Sequence, residues 1–138
     1  MHILQEEFPK KKDWSEEELE ALYFSAFAFY QKQDYEQAEF LFKQLCLVAP
    51  LQEPFWRGFA GSLQMHSKWK ESLHAWSVVA LLQEEDASCH FHAAECLFSL
   101  EDYKEASKAL LLAEKRASSS ELSCKIQQLK ALLVGTKP

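Results

Sequence analysis

Residues 89–113 read Cys-His-Phe-His-Ala-Ala-Glu-Cys-Leu-Phe-Ser-Leu-Glu-Asp-Tyr-Lys-Glu-Ala-Ser-Lys-Ala-Leu-Leu-Leu-Ala, and two helical patterns meet in them at Glu101-Asp102. In the second pattern Tyr103, Ala106, Leu110 and Ala113 fall on one stripe of an α-helix. The first pattern places Ala93, Ala94 and Leu97 on a facing stripe, where small side chains let a neighbouring helix come close. Such a hairpin has two apolar faces and needs further helices to cover them.

Earlier parts of the chain supply them at a shift of about 34 residues. Tyr103, Ala106, Leu110 and Ala113 become Trp69, Ser72, Trp76 and Val79, then Tyr35, Ala38, Phe42 and Leu45. Ala94 and Leu97 become Ala60 and Leu63, then Ala26 and Phe29. Asp102 becomes Lys68 and then Asp34, each polar and each just before an aromatic. Paired helices with aromatic, small and large apolar residues at fixed places in such a period are the signature of tetratricopeptide repeats. The pattern predicts an all-α chain of three such repeats, about 19–52, 53–86 and 87–118, stacked as a right-handed superhelix. A capping helix over about 120–134 closes the repeat domain of residues 15–134, and residues 1–14 form an N-terminal tail or arm.

Composition bounds the function. The 138 residues are 48% hydrophobic and 13% aromatic, enough for one core of ordinary size. Three Gly and four Pro argue against a loop-rich chain. A formal charge of -6 argues against nucleic acid, whose binding rests on Lys and Arg neutralising phosphates. Four cysteines without paired short spacings do not form a disulfide framework, which suits a reducing cytosol. No apolar run approaches the ~20 residues of a membrane span. The opening Met1-His2-Ile3-Leu4-Gln5-Glu6-Glu7 is too acidic and short for a signal peptide, so direct membrane insertion is not expected.

The helix boundaries follow from local chemistry. Residues 1–13, with Lys10-Lys11-Lys12, read as a solvated tail or as an arm docking on a second copy or a groove. Ser15 and Glu18 make a capping box and Trp14 can staple onto Leu19, so the first helix should run from about Glu16 to about Lys32. Leu22, Ala26 and Phe29 form its core face. A second stripe, Tyr23, Phe27 and Tyr30, lies about 100° away around the axis. Repeat geometry turns that stripe towards a groove. The next helices are expected at about Tyr35–Leu47, Pro54–Met65 and Trp69–Leu82. At the groove positions the second repeat offers Arg57, Gly61 and Gln64, and the third offers Phe91, Glu95 and Phe98. Asp86 is a candidate N-cap, Leu122, Ile126, Leu129 and Leu133 make the capping helix amphipathic, and Gly135 should end it.

Chemistry is sparse. Cys89, His92 and Cys96 at i, i+3 and i+7 could hold zinc or copper with Glu95 or a distant cysteine, but free cysteines in repeat helices are usually small core hydrophobes. His90 and His92 lack a nucleophile and an oxyanion-type turn. No phosphate loop or dinucleotide fingerprint is present. No enzyme activity, metal or cofactor is expected.

Residues as well as period match a family. Phe91-His92-Ala93-Ala94-Glu95-Cys96-Leu97, Tyr23 with Ala26-Phe27 and Tyr30, and Leu45-Cys46 resemble the class II chaperones of bacterial type III secretion, of the low-calcium-response protein H type. The resemblance covers about Leu19 to Leu133. It implies a non-enzymatic chaperone of the bacterial cytoplasm that clasps an extended N-terminal segment of hydrophobic translocator proteins in its concave groove, keeping them soluble and secretion-competent. It implies that Tyr23, Phe27 and Tyr30 line the anchor pockets and that Gln64 matches. Arg57 departs from the aliphatic residue usual in relatives. The resemblance leaves a homodimer open as a further partner, because the head of the chain is shorter than the family's usual N-terminal helix, which often builds it. The alternative is a general tetratricopeptide adaptor or scaffold for another protein. A carboxylate-capturing adaptor would need Lys, Arg and Asn where this chain has Tyr23 and Phe27.

Overall fold

A computed structural model describes residues 13–136, among which seven α-helices and no strand occur. The helices are α1 (Glu16–Gln31), α2 (Tyr35–Val48), α3 (Glu53–Met65), α4 (Trp69–Leu82), α5 (Ala87–Ser99), α6 (Tyr103–Arg116) and α7 (Ser120–Thr136). The expected arm over residues 1–12 lies outside the described residues. The chain divides into two compact units, Met1–Ser67 and Lys68–Pro138, with the boundary inside the second expected repeat.

Most helices start where a side chain can take an orphan amide. Ser15 Oγ accepts from the Glu18 N–H at 3.1 Å, and Glu18 Oε1 accepts from the Ser15 N–H at 3.0 Å. Both halves of the capping box are therefore formed. Asp34 caps α2 through the Gln37 N–H, and Asp102 caps α6 through the Glu105 N–H. Lys68, the counterpart in the middle repeat, has no side-chain acceptor to offer, and α4 begins without a side-chain cap. Pro54 sits in the first turn of α3, which starts one residue earlier than expected. Asp86 caps α5 by accepting from the Ser88 N–H at 2.8 Å.

The turns inside the three hairpins share one device. Gln33, Ser67 and Glu101, which hold the same place in successive repeats, have φ of 66°, 59° and 63°. In the first and third turns the following N–H reaches back into the preceding helix, Asp34 to the Phe29 carbonyl and Asp102 to the Leu97 carbonyl, each at 2.9 Å. This is a Schellman ending, with a non-glycine residue in the left-handed position. The aspartate that closes one helix also opens the next, which is why an acid precedes the aromatic in the first and third repeats.

The first unit packs α1 on α2 and α2 on α3. Its core is Ala26, Ala38, Leu41, Phe42, Leu45, Cys46 and Phe55. Phe42 is fully buried, and a side chain on Gly58 would fall within 2.5 Å of its ring, so glycine is what lets α3 approach α2. The second unit packs α4 on α5, α5 on α6 and α6 on α7. Ile126, Leu129 and Leu133 of α7 join Phe91, Ala94, Ala106, Leu110 and Ala113 in its core. The expected stop at Gly135 is corrected: α7 runs on to Thr136, and no glycine of the described residues has a positive φ. Without the left-handed turn that makes glycine a helix terminator, Gly135 simply continues the helix. No described helix is long and apolar enough to cross a membrane.

Candidate functional site

The stripe expected on α1 is present as a ladder of rings. Tyr23 and Phe27 have centroids 6.2 Å apart, and Phe27 and Tyr30 are stacked at 6.3 Å. The ladder is not evenly exposed. Phe27 is 42% exposed, whereas Tyr23 and Tyr30 are half-buried. The base of Tyr23 is held by core rings, with Phe42 edge-on at 5.9 Å and Phe55 at 5.6 Å. Tyr30 meets Tyr35 edge-on at 5.4 Å, and burial, followed by Tyr35, raises its phenol pKa. Two tyrosines locked into the core thus fix the position of an exposed ring between them.

Of the α3 residues expected beside this ladder, Arg57, Gly61 and Gln64 are all half-buried. A side chain on Gly61 would lie 3.7 Å from the Tyr30 ring, so the glycine leaves that ring uncovered without being forced by a clash. The Arg57 Nε–H donates to Glu53 Oε1 at 2.5 Å, one helical turn back, which ties the guanidinium to its own helix. The departure at Arg57 therefore brings a paired charge to this face.

The second unit departs from expectation at one position. Phe91, expected to face a groove, is 5% exposed and belongs to the core with Ala94, Leu110 and Ile126. The cause is packing: Phe91 is covered by Ala106, Leu110 and Ala113 of α6 and by Ile126, Leu129 and Leu133 of α7. Glu95 is partly exposed and bonded to His92, with the Nδ1 to Oε1 distance 2.7 Å. Phe98 is half-buried against Tyr103, with centroids 5.5 Å apart.

The remaining titratable groups have structural tasks. Cys89 and Cys96 are buried, donating towards the Asp86 carbonyl at 3.0 Å and Ser72 Oγ at 3.5 Å. His92 turns away from them onto Trp76, with ring centroids 4.6 Å apart. Among the described residues no group of three or more His, Cys, Asp or Glu could hold a metal ion. His90 Nε2 lies 2.9 Å from the Arg116 guanidinium, and burial, with that neighbouring cation, lowers its pKa. Arg116 also donates to the Glu84 carbonyl, pinning the end of α6 to the link before α5.

The residue missed on α1 is Phe24, 62% exposed and 6.3 Å from Tyr23. Its signal was in the repeat register, because its counterparts are Gly58 and His92, neither of them a core apolar type. An apolar cleft of about 190 Å³ between α6 and α7, lined by Leu110, Leu111, Leu133 and Val134 among others, contains none of the expected site residues.

Comparison with known proteins places this scaffold. The family model of anaphase-promoting complex (cyclosome) subunit 3 matches residues 31–113, from the end of α1 to the last turn of α6. The low calcium response locus protein H of Yersinia pestis is 30% identical over 119 residues, which cover 83% of this chain and 71% of that protein. The chain belongs to the low-calcium-response protein H family of type III secretion translocator chaperones. The structure of the family member SycD from Yersinia enterocolitica, solved with a peptide of the translocator YopD, superposes with a TM-score of 0.84 at 29% identity, covering 90% of this chain and 98% of that one. PcrH, from Pseudomonas aeruginosa and solved with the chaperone-binding region of PopD, gives 0.79 at 26%, covering 88% and 92%. Within the run Phe91–Leu97, Phe91, Ala94 and Cys96 are core residues and His92 and Glu95 are a bonded pair left partly exposed.

Proposed function

We propose that this chain is a cytoplasmic chaperone of bacterial type III secretion, which binds an extended segment of hydrophobic translocator proteins and keeps them soluble and competent for export without catalysing a reaction. The observation that carries the reading is the ring ladder of α1: Phe27 exposed, between two tyrosines anchored in the core. Exposed aromatic side chains on a rigid base are a surface awaiting an apolar partner. Each aliphatic side chain seated between such rings contributes about 1.5 to 3 kcal/mol before ordering costs.

On this reading Tyr23, Phe27, Tyr30, Arg57 and Gln64 contact the client in the first unit, and Glu95 and Phe98 do so in the second. Phe91 supports the second set from within the core. A translocator's membrane-inserting stretches would otherwise aggregate in water. The chaperone's formal charge of -6 keeps a complex with one such protein dispersed.

The test is Phe27→Ala, assayed by calorimetry against translocator chaperone-binding peptides, with helicity followed by circular dichroism. Affinity should fall about tenfold, as for an interface anchor, with helicity unchanged. Equal affinity in a folded variant removes the ladder from the binding surface.

A further inference from the structure

The register that aligns α1 with α5 carries Phe24 and Phe27 onto His92 and Glu95. In the first unit these positions hold exposed rings, and in the second they hold a hydrogen-bonded pair. The pair is held in place. The imidazole lies on the Trp76 indole with planes 22° apart, and Phe91 meets its edge at 5.5 Å. Trp76 and Phe91 are both buried, so the imidazole rests on rings that the core holds in place. Both side chains of the pair remain about one-third exposed.

The chemistry of that bond sets what the free edge can do. An ionised carboxylate only accepts hydrogen bonds, so the hydrogen between Glu95 and His92 sits on Nδ1. Nε2 of the neutral ring then carries a lone pair and no hydrogen. It makes no hydrogen bond among the described residues. An extended segment, for its part, presents backbone N–H groups that lose water on binding and need acceptors.

We propose that His92 Nε2 is a recognition acceptor of the second unit, taking a hydrogen bond from a donor N–H of the bound segment, with Glu95 as the positioning residue that holds the accepting tautomer. The proposal rests on the chaperone reading above. It assigns the two units different tasks: rings for apolar side chains in the first, an acceptor for a polar donor in the second.

Nitrogen NMR of the imidazoles of the whole protein tests the tautomer. In its neutral form the His92 ring should be hydrogen-free at Nε2, Glu95→Ala should shift it towards the Nε2–H tautomer, and peptide binding should move the Nε2 resonance. A wild-type ring protonated at Nε2, or an Nε2 signal unmoved by bound peptide, overturns the proposal. Binding is measured with overlapping peptides from YopD and from the chaperone-binding region of PopD. His92→Phe retains a ring over Trp76 but no acceptor, and should bind roughly three- to tenfold more weakly. Methylating peptide nitrogens one at a time should find a position that costs affinity with wild type and not with His92→Phe. If Phe27→Ala weakens binding and His92→Phe does not, the acceptor role is wrong and the chaperone reading stands. If neither weakens it, or no peptide binds the wild type, the chaperone reading falls and this one with it. Should His92→Phe fail to fold, the wild-type Nε2 resonance with and without peptide decides.

Discussion

Two glycines of α3 show how much a single position can carry. Gly58 faces the fully buried Phe42 ring, where an added methyl has no room, while Gly61 faces Tyr30 at ordinary contact distance. Gly58→Ala should therefore cost about 1 to 3 kcal/mol through overpacking. Gly61→Ala should be neutral or stabilise by up to about 1 kcal/mol, since alanine is the better helix former. Urea titrations of the two variants would separate them, and similar losses at both sites would contradict the packing described for Phe42. The register in the sequence placed Gly61 and not Gly58 on the open face, so the contrast was legible. The ring that makes Gly58 indispensable was not, because Phe42 belongs to another helix, α2, and reaches Gly58 only through packing.

At the scale of elements, the hairpin turns are the recurring unit. Gln33, Ser67 and Glu101 adopt a left-handed conformation that costs a non-glycine residue about 1 to 2 kcal/mol. Replacing each by glycine removes that strain but adds roughly 0.5 to 1 kcal/mol of unfolded-chain entropy. The net gain should be about 0.5 to 1 kcal/mol per turn, read as a higher urea midpoint for Gln33→Gly and Glu101→Gly. A lower midpoint at both would mean that the side chains, not the backbone, hold these turns. Most helix spans were readable to within a residue or two because capping groups are local: Ser15, Asp34, Asp86 and Asp102 all cap as their sequence neighbours suggest. The miss at Gly135 is of the same kind, since glycine ends a helix only when the chain takes a left-handed turn there.

For the whole molecule, the cysteines report on burial. All four are free; Cys46, Cys89 and Cys96 are buried and Cys124 is exposed on α7. A thiol reagent should modify one cysteine quickly in the native protein and the other three only on unfolding; rapid modification of two or more would contradict the core described. Burial pushes the Cys46 thiol up to about 12 and the Cys96 thiol up to about 11, with nearby Ser72 partly opposing the latter. Unfolded thiols ionise near 9.0, so above that pH the unfolded state holds fewer protons than the native state and stability falls. The loss should approach about 1.4 kcal/mol per pH unit for each thiol. It should level off near pH 11 for Cys96 and pH 12 for Cys46. Urea midpoints measured on both sides of pH 9 should show the decline, and Cys46→Ala should make it shallower.

The amino-acid sequence alone determined the repeat period, the helices and their caps, the all-α class and the family, because each depends on the angle of a residue around its own helix or on neighbours within one turn. Only the tertiary structure decided which groove positions stay open. Tyr23 and Phe91 occupy the same place in the repeat, yet Tyr23 is half-buried beside Phe42 and Phe55 while Phe91 is a core residue under α6 and α7. The same holds for His92, whose spacing with two cysteines showed only that it shares a helix face with them and whose ring rests on Trp76 of the preceding helix, α4. Periodicity sets the direction in which a side chain leaves its helix. What it meets there depends on the helices packed alongside, and that is settled only when distant parts of the chain come together.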